Sequence, residues 1–414
     1  MIVTKVKKLT RSDFMFSRSM YTLGAQPSSI RELFEFGRQR AKELGAEKVF
    51  DFSLGNPSIP APALVAEAIT QVLAKESPIA IHGYTSAVGS DACRDAIAEN
   101  LNSRYRTKYK KDNLFITCGA APALGAAFRA LAADDGRSEF VVIAPFFPEY
   151  RVFIGASGGK PVIVPADTKR FQIDFAALEA SINENTAAVL INSPNNPSGV
   201  VYTEETIKTL ANLLKKKSDE LGRPIFLISD EPYRELAYGG VNVPFVPNYY
   251  NNTIVCYSFS KSLSLPGERI GYVLVPDSVE DSRTIFTAIA GASRSMGHVC
   301  APSLMQHVIT ACINLVPDVT VYERNANLLY EALTSYGYNC AKPDGAFYLF
   351  FEAPCGISGK EFSDYAKERH NVLVVPGDGF GCPNWLRLSY CVDTERVKNA
   401  LPLLKQTIDE LKKK

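Results

Sequence analysis

Short apolar runs rich in β-branched residues alternate with helical stretches through the middle of the chain. Seven runs read as strands: 114–118, 140–144, 161–164, 188–191, 225–229, 254–257 and 270–275. The stretch 203–221 reads as a helix. Thr203 can cap it, and Ile207, Leu210, Leu213 and Leu214 fall on one face. Strands alternating with helices predict βαβ units, hence an α/β fold with a seven-stranded, mostly parallel sheet between helices. The connection from 254–257 to 270–275 is too short for a parallel crossover, so the last strand is expected to be antiparallel.

From about residue 310 the pattern changes. A long helical stretch leads to strands at 345–350, 372–375 and 386–390. A final amphipathic helix follows, capped by Asp393, with Val397, Leu401, Leu404, Ile408 and Leu411 on one face. The expected organisation is an N-terminal segment (1–60) that joins a small domain, a large domain (61–305), and a smaller C-terminal α+β domain (306–414). The 414 residues exceed what one compact core usually supports.

Composition narrows the function. A net charge of +1 with 21% charged residues argues against a dedicated nucleic-acid binder or a polybasic membrane anchor. Nine scattered cysteines without a CxxC pair suggest reduced thiols and a cytoplasmic protein. With four histidines and no paired Cys/His spacing, no metal site is expected. The N-terminal fourteen residues are basic but lack a signal peptide's apolar run, and no stretch approaches the apolar length of a membrane span.

The densest chemistry is Ser258-Phe259-Ser260-Lys261, with Arg269 eight residues on. The apolar run before it reads as a buried strand, and a lysine at such an end calls for a partner or a task. Desolvation makes a lysine amine nucleophilic toward carbonyls. The two hydroxyls and the guanidinium are donors suited to a phosphate, so the set suggests pyridoxal phosphate (PLP). Other loaded residues also follow strand ends, where ligands of open α/β sheets bind. They are Asp230 with Tyr233, Asn196 within Asn195-Asn196-Pro197-Ser198-Gly199, and Gly119-Ala120-Ala121 leading into a helix. Each alone has an ordinary reading: a helix cap, an Asx turn, a β–α turn.

Taken in order, the series resembles the class I/II aminotransferases of PLP fold type I, in particular the aspartate-aminotransferase-like branch. It comprises Gly55-Asn56-Pro57; Tyr84 with Gly89 and Arg94; Gly119-Ala120-Ala121; Pro145-Phe146-Phe147 with Tyr150; Asn196-Pro197-Ser198-Gly199; Asp230 with Tyr233; the Lys261 motif with Arg269-Ile270-Gly271-Tyr272; and Arg387-Leu388-Ser389-Tyr390. The resemblance implies ping-pong transamination between an L-amino acid and a 2-oxo acid, with aspartate-type or broad specificity. Lys261 would hold PLP as an imine and move the proton at Cα. Asp230 would pair with the ring nitrogen, and Asn196 and Tyr233 with its phenolic oxygen. Phe147 would stack on the ring. Arg269, Ser258, Ser260 and the N–H groups at Gly119-Ala120-Ala121 would hold the phosphate. Arg387, with Gly55 and Asn196, would bind the substrate carboxylate. Tyr84 would reach the cofactor of a second subunit, which implies a homodimer with shared sites. A PLP-dependent carbon–sulfur β-lyase on the same scaffold is the alternative.

Two departures bear on specificity. Where bacterial aspartate enzymes often carry a threonine that helps recognise the distal carboxylate, the nearest match here is Ile30. In the other branch an arginine from the partner subunit takes that role; the corresponding segment here is Ser293-Arg294-Ser295-Met296, with Arg294 as a candidate and Met296 at the matching offset. Aspartate specificity is therefore doubtful, and an apolar or aromatic substrate is compatible with the sequence.

Overall fold

The computed structural model describes residues 16–25 and 28–413. The N-terminal stretch read above for targeting, and Pro27 beside Ile30, lie outside them. After a short β1 (Phe50–Asp51), the main sheet is formed by β2 (Leu114–Thr117), β3 (Glu139–Ile143), β4 (Lys160–Val164), β5 (Thr186–Asn192), β6 (Phe226–Asp230), β7 (Thr253–Ser258) and β8 (Gly271–Leu274). Their spatial order is β2-β8-β7-β6-β5-β3-β4. Strands β3 to β7 pair in parallel, and β8 runs antiparallel to both neighbours, as its short connection requires. The central strands β5, β6 and β7 are buried almost throughout, which explains their continuous apolar runs.

Helices cover both faces. The predicted helix at 203–221 is Glu204–Leu221; the Thr203 side chain accepts from the Thr206 amide, and Ile207, Leu210 and Leu214 are buried. Asp393 caps the last helix, Thr394–Leu411, by accepting from the Glu395 amide. That helix packs on Thr320–Tyr336 and closes a second core. No helix among the described residues is long and apolar enough to cross a membrane.

The C-terminal part differs from expectation in two places. The strand expected at 345–350 lies at β9 (Tyr348–Glu352), because Ala346 adopts a left-handed conformation (φ 56°) and Gly345 makes only an isolated bridge to Ala237. The run 372–375 is two strands, β10 (Val372–Leu373) and β11 (Val375–Pro376). The first pairs with β1 and the second with β12 (Trp385–Ser389), which also pairs with β9. Val372, Leu373, Val374 and Val375 are all fully buried, so their apolar pattern carries no sign of the change of partner.

Candidate active site

In parallel register, Asn192 at the end of β5 lies opposite Asp230 at the end of β6, and Asp230 lies opposite Cys256 in β7. The carboxyl ends of β5 and β6 are therefore level, β7 runs two residues further to Ser258, and these ends with the chain beyond them line a cavity of about 310 Å³. It contains Asn196, Asp230, Tyr233, Ser258, Ser260, Lys261, Arg269, Ala120, Ala121, Phe147, Gly55 and Arg387. Residues separated by more than 330 positions thus share one wall.

Lys261 sits in the single turn Phe259–Ser262 that follows β7. Ser258 caps this turn: its Oγ accepts from the Ser260 amide at 3.1 Å and lies 2.7 Å from Ser260 Oγ. Lys261 Nζ donates to the Gly55 carbonyl at 2.8 Å. Burial, reinforced by the charges of Arg387 and Arg269 and opposed by Cys391, lowers the pKa of this amine from 10.5 to about 8. At a pKa of about 8, roughly a tenth of the amine is neutral at pH 7, far more than for an ordinary lysine, which favours its acting as a nucleophile.

Asp230 is buried. Its Oδ2 accepts from the Tyr150 hydroxyl at 2.5 Å, while its Oδ1 has no partner among the described residues. Desolvation raises its pKa from 3.8 to about 7, the Tyr150 bond opposing the rise. A buried carboxylate with one free oxygen is costly unless a cationic donor meets it. Asn192 knits the two strand ends together: its Nδ2 donates to the Asp230 carbonyl at 2.9 Å and its Oδ1 accepts from the Asn196 amide at 2.8 Å.

Gly119 and Arg269 form a second constellation. Gly119 has φ +95° and precedes the helix Ala120–Leu131, whose first two residues line the cavity. A Cβ on Gly119 would come within 2.7 Å of Arg269 Nη2, so only glycine lets the guanidinium lie against this turn. Arg269 itself is held at φ 52°, with Nη1 donating to the Pro266 carbonyl at 3.0 Å. Hydroxyls, a guanidinium and a helix N-terminus together suit a phosphate.

Arg387, in β12, is buried. Its guanidinium lies 4.7 Å from the Tyr348 ring centroid and 5.1 Å from that of Phe380. Nη1 donates to Asn196 Oδ1 at 3.0 Å and Nη2 to the Ser53 carbonyl at 2.5 Å, while Nε has no partner among the described residues. Tyr348 shares a 2.8 Å hydroxyl contact with Tyr233. An amine, a half-satisfied carboxylate opposite, a phosphate cradle and a stacked guanidinium are a donor set that fits PLP and a carboxylate substrate.

Two expected residues stand apart from this cavity. Tyr84 is 98% exposed, so it is no core tyrosine, and it lies outside the cavity of its own chain. Arg294 is exposed near the end of the helix Ser282–Ser295, also outside it. Ile30 does line it. The sequence reading gave no role to Tyr150, Asn192, Ser53 or Tyr348. Asn192 had a visible signal, a polar residue ending an apolar strand. Tyr348 had none, since it sits in an apolar run.

A profile of the family described as "Aminotransferase class I and II" matches residues 47–404. A probable aspartate/prephenate aminotransferase of Aquifex aeolicus is 31% identical over 388 residues, covering 90% of this chain and 94% of that protein. A crystal structure of an aminotransferase from Eubacterium rectale superimposes with a TM-score of 0.93 at 55% identity, covering 96% of this chain and 99% of the other. An aspartate aminotransferase from Thermus thermophilus with maleate does so with a TM-score of 0.82 at 25% identity, covering 95% and 100%. All three names are those of aminotransferases, and none favours the carbon–sulfur lyase alternative. The chain belongs to the class I and II aminotransferases, PLP-dependent transaminases of the aspartate-aminotransferase fold.

Proposed function

We propose that the chain moves an amino group between an L-amino acid and a 2-oxo acid by ping-pong transamination, with Lys261 as the covalent holder of PLP and the carrier of the substrate Cα proton. One observation carries this reading. A lysine of lowered pKa and a buried carboxylate with a free oxygen stand on adjacent strand ends, in one cavity with Arg387. When bound, PLP supplies an aldehyde that condenses with amines and a protonated ring that draws electrons from Cα.

Asp230 supplies the negative charge that keeps a ring nitrogen protonated, and Tyr150 holds that carboxylate in place. Asn196 gives its carbonyl oxygen to Arg387 Nη1, which leaves its Nδ2 to donate, alongside Tyr233, to a phenolic oxygen. Ser258, Ser260, Arg269 and the amides of Ala120 and Ala121, next to Gly119, hold the phosphate, and Phe147 covers the ring. Arg387 clamps the α-carboxylate with a planar fork already fixed by two aromatic faces. Lys261 Nζ, held over Gly55, is the base and then the acid at Cα.

Relatives named for aspartate favour an aspartate-type donor; the apolar lining at Ile30 and Leu54 favours a broader one. The fully exposed Tyr84 supports a homodimer in which it serves the neighbouring site. The pairing of β1 with β10 supports a small domain built from segments 1–60 and 306–414 beside a large one, 61–305.

The test is covalent. Borohydride reduction of the PLP-loaded enzyme followed by peptide mapping should place the phosphopyridoxyl mass on Lys261 alone. Label on another lysine would overturn the assignment.

A further inference from the structure

We infer that Arg234, paired with Glu231, is a positioning residue: from behind the cofactor wall it holds Asp230 and Tyr233 in register with the turn that carries Lys261. The inference rests on the roles proposed for Lys261, Asp230 and Tyr233, and adds to them two residues that do not line the cavity.

The segment Asp230-Glu231-Pro232-Tyr233-Arg234 follows directly on β6 and faces two ways. Asp230 and Tyr233 line the cavity; Glu231 and Arg234 do not. Arg234 Nε donates to Glu231 Oε2 at 2.5 Å, and Nη2 lies against the same oxygen. Ser229 Oγ donates to Glu231 Oε1 at 2.7 Å, and the Glu231 amide donates to the Cys256 carbonyl of β7 at 2.9 Å. The ion pair thus closes the same three-residue step that separates Asp230 from Tyr233.

Arg234 also reaches the next two strands. Its Nη1 donates to the Tyr272 hydroxyl in β8 at 3.1 Å, three residues past Arg269. Its guanidinium lies 4.6 Å from the Tyr257 ring centroid and 5.3 Å from that of Phe245. Tyr257 precedes Ser258, stacks on Tyr272 at 4.8 Å, and places its hydroxyl 2.8 Å from Ser262 Oγ, at the end of the Lys261 turn. One guanidinium therefore touches all three segments that supply Asp230, Lys261 and Arg269.

Stability alone does not account for the pair. Both side chains are at most 4% exposed within one subunit, so their contacts do not depend on a neighbouring chain. Desolvating two charges offsets much of their attraction, and apolar residues of similar volume often serve a fold equally well. What the pair adds is a single geometry, a planar fork committed to a carboxylate and a hydroxyl at once. It also neutralises Glu231, whose charge, after desolvation, pushes the pKa of Asp230 upward. The other ionisable groups around Arg234 are Glu235, Arg104, Tyr105, Tyr109, Tyr257 and Tyr272, and the variants below leave them in place.

The test replaces the pair by apolar residues of similar size, Glu231→Leu with Arg234→Met. It reads the absorbance of the PLP-loaded protein against pH, PLP affinity by equilibrium dialysis, and melting temperature without PLP. A hydroxyl donating to the phenolic oxygen and a protonated ring nitrogen both favour the anionic oxygen. A loosened Asp230–Tyr233 step should therefore raise the absorbance midpoint by about one pH unit and weaken PLP about tenfold, with the melting temperature close to the parent's. Arg234→Lys, which keeps the charge without the fork, should give an intermediate midpoint. A folded double variant with the parent's midpoint and PLP affinity would overturn the inference and leave the pair as packing. If the double variant does not fold, the parent's midpoint in Arg234→Lys overturns it equally. A parent whose absorbance shows no PLP-dependent titration would instead overturn the reading of Lys261, on which the inference stands.

Discussion

The two walls of the cavity are built differently. The cofactor wall comes from neighbouring parallel strands: Asn192 and Asp230 end β5 and β6 in register, β7 runs two residues past that level to Ser258, and Lys261 stands one turn further. Its groups are fixed by ladder hydrogen bonds shared with the core of the sheet. The substrate wall is assembled from 29–44, 53–55, 348 and 387, segments that meet only in the folded chain. There the fixing comes from side chains: Tyr348 on Tyr233 and Arg387, Lys261 on the Gly55 carbonyl. Chemistry common to all amino acids belongs on the rigid wall, and discrimination between them belongs on the adaptable one.

The largest effect expected from this contrast is at Asp230. If Asp230 holds the ring proton as proposed, Asp230→Asn removes that charge, and turnover should fall by about 10³-fold, the size of losing one charge-stabilising group from a dry site. The protein without cofactor should respond in the opposite sense. Because the folded pKa is raised from 3.8 to about 7, the native state holds a proton that the unfolded chain has lost between those values. The resulting penalty is absent below pH 3.8, grows above it and is complete above about pH 7. Asp230→Asn removes it, so the apo variant should be a few kcal/mol more stable than the apo parent at pH 8 and equal to it near pH 4. Denaturant titrations at the two pH values measure this; equal stability at pH 8 would show that the free carboxylate carries no such penalty.

Next in size is Arg387→Lys, on the other wall. A point charge cannot reproduce a stacked fork that donates to Asn196 and Ser53 at once. About 2 kcal/mol, or about 30-fold in kcat/KM, should be lost for every amino acid alike. Steady-state kinetics with two unlike donors check this. A loss confined to one donor would move Arg387 from carboxylate recognition to side-chain recognition and erase the distinction between the walls.

The cofactor wall was the more legible of the two in the sequence, for the same reason that it is rigid. Each of its residues follows a continuous buried strand, so apolar runs announce where the next polar residues must point. The antiparallel β8 followed from connection length alone. Arg387 was found by its motif, but nothing in the sequence says that it stacks on Tyr348, that Tyr348 touches Tyr233, or that Ser53 accepts from it. Those contacts depend on where β9 and β12 lie relative to residues near 55, and the buried run 372–375 hides its change of sheet. Tyr150 was legible as a residue and illegible as a role, because its bond to Asp230 spans β3 and β6 through the turn after Pro145.

The smallest effect, and the one that probes the join between the walls, is at Gly55. Its carbonyl holds Lys261, and a Cβ there would lie 2.1 Å from the Tyr348 hydroxyl and 2.9 Å from Cζ. Moving the tyrosine aside would cost its bond to Tyr233 and its stacking on Arg387. Gly55→Ala should therefore cost about 1–3 kcal/mol of stability, as overpacking does in a filled site, and should raise KM several-fold by displacing Arg387. The companion Tyr348→Phe removes the clashing oxygen, so the double variant should recover part of the loss in both melting temperature and KM, a coupling expected of residues in contact. If Gly55→Ala melts and binds like the parent, the backbone at 55 has slack, and the two walls are not joined through Tyr348. If it loses stability but keeps KM, the join is structural and does not reach the carboxylate.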